Sequence, residues 1–288
     1  ACTSGSANTA VGYGSMDALT TGSNNTGLGD RSLSATDDGA NNTAVGAFAM
    51  ESGNCGDNNT AVGYNSLRLC TGGNNTGFGE GTMQDLVEGT DNVAIGKAAF
   101  GGALNTDADA SVGNVFIGKD AGGGGWTSPV SNYNVGIGYQ SMDAAMAGAL
   151  NNVGIGYRSL GALTQGDNNV ALGSDALFAV TTGSSNVAIG EAALDALTIG
   201  GSNVAIGRNA GGAMGVAENA NILIGFAAGG ALDEGTNGSI DDNIAIGLDS
   251  LVGGDLNTAS TAVNRNIAIG TNAMNSTGTN AQTGTIAI

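Results

Sequence analysis

The sequence predicts an all-β protein, a parallel β-solenoid (β-roll) of about fifteen rungs, and three observations predict it. A short motif recurs along the whole chain. Its spacing clusters at 17 residues, and the apolar residues inside it alternate with a period of two.

The motif reads Asn-x-Ala/Gly-Val/Ile/Leu-Gly-x-x-Ala/Ser-Leu/Met. Its asparagines are Asn8, Asn25, Asn42, Asn59, Asn75, Asn92, Asn114, Asn134, Asn152, Asn169, Asn186, Asn203, Asn221, Asn243 and Asn266. Its glycines, from Gly12 to Gly270, follow one another at 17, 17, 17, 16, 17, 22, 20, 18, 17, 17, 17, 18, 22 and 23 residues. Seven of the fourteen steps are 17, so the basic rung has 17 residues and the longer steps carry insertions. Residues 1–288 therefore read as a single solenoid repeat domain that starts and ends mid-repeat.

The strand follows from the alternation. In the run Asn186-Val187-Ala188-Ile189-Gly190, Val187 and Ile189 share one face and Ala188 takes the other. Both faces are apolar, as in strands covered on both sides. A single thin solenoid covers one face, so the pattern predicts a homo-oligomer. A helix is excluded by the glycine inside each unit and by the period of two.

Two further columns predict stacking. The motif asparagines would form an amide ladder from rung to rung. The residue four after the motif glycine is large and apolar in twelve copies, among them Met16, Leu33, Leu67, Phe100 and Leu194, and predicts a second core row. Gly122, Gly211 and Gly229 stand there in the other three.

Composition limits the function. Glycine supplies 53 of 288 residues and aromatics 4%, which fits a thin core of small and β-branched side chains. The net charge of −18 carries no basic surface for phosphate neutralisation, so neither nucleic acid nor an anionic membrane surface is an expected partner. No apolar run approaches the length of a spanning helix, so no membrane insertion is expected. Histidine is absent, which removes the commonest general base and the commonest transition-metal ligand.

Runs such as Asn203-Val204-Ala205-Ile206-Gly207 and Asn266-Ile267-Ala268-Ile269-Gly270 resemble the head repeats of trimeric autotransporter adhesins of the YadA type. The variant Asn59-Thr60-Ala61-Val62-Gly63-Tyr64-Asn65-Ser66-Leu67 is similar to repeats of phage tail fibres. The resemblance implies a left-handed β-roll, three chains about one axis and an adhesive surface role.

Few residues offer chemistry. The segment 113–120 nearly spells a phosphate-binding loop, but Asp120 stands where Ser or Thr would hold magnesium, and Ile117 and Gly118 belong to the repeat. No cofactor is expected. Acidic turn residues, among them Asp37, Asp57, Asp167 and Asp241, read as solvated turns, with calcium bridging as the alternative. Cys55 and Cys70 fall at similar turn positions in neighbouring rungs, close enough on stacking for a disulfide. No histidine is present to activate a nucleophilic cysteine.

The longer steps place loops near 101–113, 122–133, 230–242 and 252–265, and the second holds Trp126 and Tyr133 as candidate binding residues. The expected function is that of a non-catalytic structural subunit of an extracellular, cell-surface or virion-surface fibre. It would assemble with itself, as a homotrimer or head-to-tail filament, through stacked rungs and apolar packing between chains. The alternative is an adhesin head or tail-fibre receptor-binding region that engages a cell-surface glycan or protein through the loops. An enzyme would need carboxylates or bases gathered in a groove, and the acidic residues are scattered along turns.

Overall fold

In the computed structural model each motif copy places one three-residue strand. The structure describes residues 4–102, 110–230, 232, 239–252, 262–275 and 282–288. Contacts group the chain into two compact units, 1–149 and 150–288.

The first unit holds β1 (Thr9–Val11), β2 (Thr26–Leu28), β3 (Thr43–Val45), β4 (Thr60–Val62), β5 (Thr76–Phe78), β6 (Val93–Ile95), β7 (Val115–Ile117) and β8 (Val135–Ile137). Each pairs in parallel with the next. The second unit holds β9 (Val153–Ile155), β10 (Val170–Leu172), β11 (Val187–Ile189), β12 (Val204–Ile206), β13 (Ile222–Ile224), β14 (Ile244–Ile246), β15 (Val263–Asn264), β16 (Ile267–Ile269), β17 (Gln282–Thr283) and β18 (Ile286–Ala287). Here β9 to β14, β16 and β18 form the parallel ladder, and β15 pairs with β17 beside it. Among the described residues there is no helix. The chain is a parallel β-solenoid.

Register follows the motif whatever the spacing. Val170 lies opposite Val187 across a step of 17, and Val93 lies opposite Val115 across a step of 22. Extra residues are therefore taken up between strands and never within the ladder. The motif glycine explains how tightly the rungs lie. At Gly29, with φ +143°, an added Cβ would come 2.4 Å from the carbonyl oxygen of Gly46 in the next rung. No side chain fits that approach, and the backbone angle is one that glycine alone adopts freely.

The turn after each strand is built unusually. In the second rung Arg31, Leu33 and Asn41 have φ of 52°, 53° and 59°, all left-handed. Ala192, Leu194 and Ser202 repeat the pattern at 53°, 52° and 61°. For residues with a Cβ this conformation costs roughly 1–2 kcal/mol each. The cost is offset along the stack, because each such N–H reaches a neighbouring rung. Arg31 N donates to Tyr13 O at 2.8 Å, Leu33 N to Ala49 O at 3.0 Å and Asn41 N to Ser23 O at 3.0 Å.

The core is thin. Leu33, Met50, Leu67, Met83, Phe100, Leu160 and Leu194 fill the row four residues after the motif glycine, all buried. A further row holds Leu86, Leu163, Val180 and Leu197. Between them lie Ala44, Ala61, Ala94, Ala171 and Ala188 from the strands.

Candidate functional site: the outward strand face

In most rungs the strand turns a small central residue inward and its two larger residues outward, whereas β7 and β13 turn Phe116 and Leu223 inward and all three residues of β1 are exposed. Ala188 is fully buried, while Val187 and Ile189 keep partial exposure. The expectation of apolar residues on both faces holds, but hydrophobicity alone would put the larger pair inside. The interior is already filled by the leucine and methionine rows and by the asparagines, and only Ala or Gly fits in most rungs. In the first unit the outward row carries Val11, Leu28, Phe78 and Ile95, with Phe78 56% exposed. In the second it carries Val170, Leu172, Ile206, Ile222 and Ile269, with Leu172 45% exposed. A run of large apolar side chains in water is the informative kind of exposure, in contrast to single exposed leucines.

The charges near this face are paired across rungs. Lys97 Nζ lies 3.0 Å from Glu80 Oε1, Arg208 Nε 3.4 Å from Glu191 Oε2, and Arg158 Nε 3.3 Å from Asp175 Oδ1. The chain has seven basic side chains, and each pairs with a carboxylate: Arg31 with Glu51, Arg68 with Asp85, Lys119 with Asp120, Arg265 with Asp242, and the three above. Such exposed pairs contribute about 0–1 kcal/mol each. Their larger effect is chemical, since each basic group already faces a carboxylate. Lys119, in the segment that nearly spells a phosphate loop, is held by Asp120 above the usual ammonium range and sits over the Tyr139 ring.

The motif asparagines line the interior. Asn186 Oδ1 accepts from the backbone N of Asn203 at 3.0 Å and from its Nδ2 at 3.0 Å. Asn186 Nδ2 donates to Gly200 O at 2.9 Å. The backbone-accepting bond recurs from Asn8 to Asn25, from Asn42 to Asn59, from Asn59 to Asn75, and from Asn243 to Asn266. Each amide thus satisfies a buried N–H of the following rung and a buried carbonyl of a turn.

The acidic turns have a similar task. Asp57 Oδ1 accepts from Ala40 N, Asp167 Oδ1 from Leu150 N, and Asp241 Oδ1 from Asn219 N, each at 2.8 Å. Asn132 and Asn264 do the same for Val112 and Asp241. The column is a rung-to-rung cap, which scattered acidic letters in the sequence do not reveal. Among the described residues no three His, Cys, Asp or Glu side chains converge in a way that could hold a metal ion.

Two sequence expectations are corrected. Cys55 and Cys70, a possible disulfide from their places in neighbouring rungs, stand as free buried thiols. Cys70 Sγ donates to Gly72 O at 3.2 Å, and the neighbouring Cys55 thiol, with burial, pushes the Cys70 thiol well above its usual range. Trp126, expected on a binding loop, is 1% exposed. It packs in an aromatic cluster, 4.5 Å from the Phe100 ring centroid and 5.6 Å from that of Phe116. The indole turns inward onto these two phenylalanine rings, which gives its apolar surface a buried partner. Tyr133 is 59% exposed, standing against Gly113. The parts of the other expected loops at 103–109, 233–238 and 253–261 lie outside the described residues.

Comparison with known protein families and with curated proteins gives no match.

Proposed function

We propose that this protein is a non-catalytic structural subunit of an extracellular or virion-surface fibre, in which copies pack on one another through the outward strand face. The observation that carries the reading is the inversion of the strands, with alanine or glycine inside most rungs and Val, Ile, Leu or Phe outside. Covering a half-exposed leucine or isoleucine contributes on the order of 1 kcal/mol, and the row repeats in every rung. Identical registers let identical rows meet, which favours copies of the same chain as the partner. Homotrimers about a shared axis and open head-to-tail filaments are both consistent with such a row. Electron microscopy and mass photometry of the purified chain test the reading. Uniform oligomers or filaments that revert to monomers when Leu172 and Ile206 are replaced by lysine support it. A wild-type chain that remains monomeric at high concentration overturns it.

A further inference from the structure

The first unit carries an open groove of about 560 Å³ along its first three rungs. Tyr13, Asp17, Arg31, Ser34, Glu51 and Ser52 line it, and none of them belongs to the strand face. The Tyr13 side chain is 80% exposed, although the same position in the next two rungs is met by Asp30 and Ala47. The stack therefore does not require an aromatic ring there.

The polar groups around the ring are held in place. Arg31 Nη1 lies 3.5 Å from Glu51 Oε1. Ser52 Oγ donates to Glu51 Oε2 at 3.3 Å, and Ser34 Oγ donates to the Glu51 carbonyl at 2.9 Å. The groove thus offers one flat aromatic face, two carboxylates as acceptors and one guanidinium as donor. Its volume falls in the range of small-ligand sites, which combine an apolar platform with a few fixed polar groups.

We propose that this groove binds a neutral oligosaccharide. A pyranose ring presents weakly positive C–H groups on one face, and these suit the negative face of the Tyr13 ring. Its hydroxyls donate to Asp17 and Glu51 and accept from Arg31, as charge-assisted bonds. Acidic sugars are disfavoured, because the two carboxylates outnumber the one guanidinium and the chain carries a net −18. The proposal does not rest on fibre assembly and is tested separately from it.

Saturation-transfer NMR on the full chain decides it, with lactose, maltotriose and cellotriose at about 10 mM and with sialyllactose and spermine as comparisons. The expected result is transfer to the ring protons of at least one neutral sugar, at least about tenfold weaker binding of sialyllactose, retention in Tyr13→Phe and loss in Tyr13→Ala. Asp17→Asn, which keeps the shape of the groove, weakens the same sugar at least about threefold. Circular dichroism of each variant verifies that the fold is kept. Absence of transfer to every neutral sugar overturns the proposal, as does binding that survives Tyr13→Ala. Spermine displacing the sugars with the same dependence on Tyr13 also overturns it, because the groove would then be an ammonium site.

Discussion

The ring of Phe116 occupies the space that a leucine or methionine side chain fills in other rungs, and Gly122 is its counterpart: a Cβ built on Gly122 would lie 2.7 Å from that ring. Leu223 stands in the same relation to Gly229, at 2.9 Å. In both rungs the large side chain has moved from the turn to the strand, and the small one has moved the other way. Gly122 has φ +62°, close to the values of the leucines it replaces, so a leucine there carries the same left-handed cost of roughly 1–2 kcal/mol as the leucines of other rungs. The exchange is one of volume.

Phe116→Ala should therefore cost about 3–5 kcal/mol, as for other buried aromatic truncations. Adding Gly122→Leu to that variant should recover about 1–3 kcal/mol, whereas Gly122→Leu alone should destabilise by overpacking. Chemical unfolding of the three variants measures the coupling, and simple additivity would contradict the exchange.

Asn186→Ala removes the acceptor of Asn203 N and the donor to Gly200 O, leaving both buried groups without those bonds. A loss on the order of 3 kcal/mol is expected. Hydrogen exchange at the amide of Asn203 should quicken more than at amides several rungs away. Uniform quickening along the chain would indicate a global effect instead.

Burial pushes the Asp195 carboxyl above the usual carboxylate range, with the Asp175 carboxylate adding to the shift. A raised folded pKa means that the folded state holds its proton more firmly than the unfolded one. The favourable contribution is present below the unfolded value of about 3.9 and is lost as pH rises through the folded value. Asp195→Asn should accordingly raise the melting temperature at pH near 7 and change it little at pH near 3. Thermal melts at the two pH values provide the measurement, and an equal shift at both would refute the assignment.

The two free thiols at Cys55 and Cys70 are fully or almost fully buried, and the Cys70 thiol is held protonated by its surroundings. Iodoacetamide at pH near 8 should leave both unmodified in the folded protein and modify both in denaturant. Peptide mass spectrometry reads the outcome residue by residue. Rapid labelling of either cysteine in the folded chain would show that this corner opens readily.

The strands, their registers and the asparagine column were legible because a single motif, Asn-x-Ala-Ile-Gly in its plainest form, repeats what every rung must do. The direction of the faces was not. Alternation in Val187-Ala188-Ile189 separates two faces, but which one points inward depends on how much width remains once Leu194 and Asn186 are in place. The left-handed turns have no signal in the sequence for a related reason. Leu33 and Leu194 carry no local preference for that conformation and adopt it because their side chains are buried and their N–H groups meet the next rung. The 20-residue step from Gly118 to Gly138 places Trp126 on a loop because it counts the extra residues and not the direction of a side chain, and the Phe100 and Phe116 rings that bury the indole come from other parts of the chain. The Tyr13 groove had no sequence signature, since its members come from three successive rungs.

The pairing of Val93 with Val115 across 22 residues, like that of Val170 with Val187 across 17, shows where this architecture can change and where it cannot. A rung contacts its neighbours through its strand and through turn backbone, and the inserted residues add nothing to that ladder. Whole repeats can consequently be duplicated or excised as integers, and segments between strands can grow, while a single-residue deletion inside a strand would disturb the pairing of that rung with its two neighbours and leave later rungs in register. The protein is in this sense a counted object, whose length changes by whole rungs while the spacing between paired strands stays fixed.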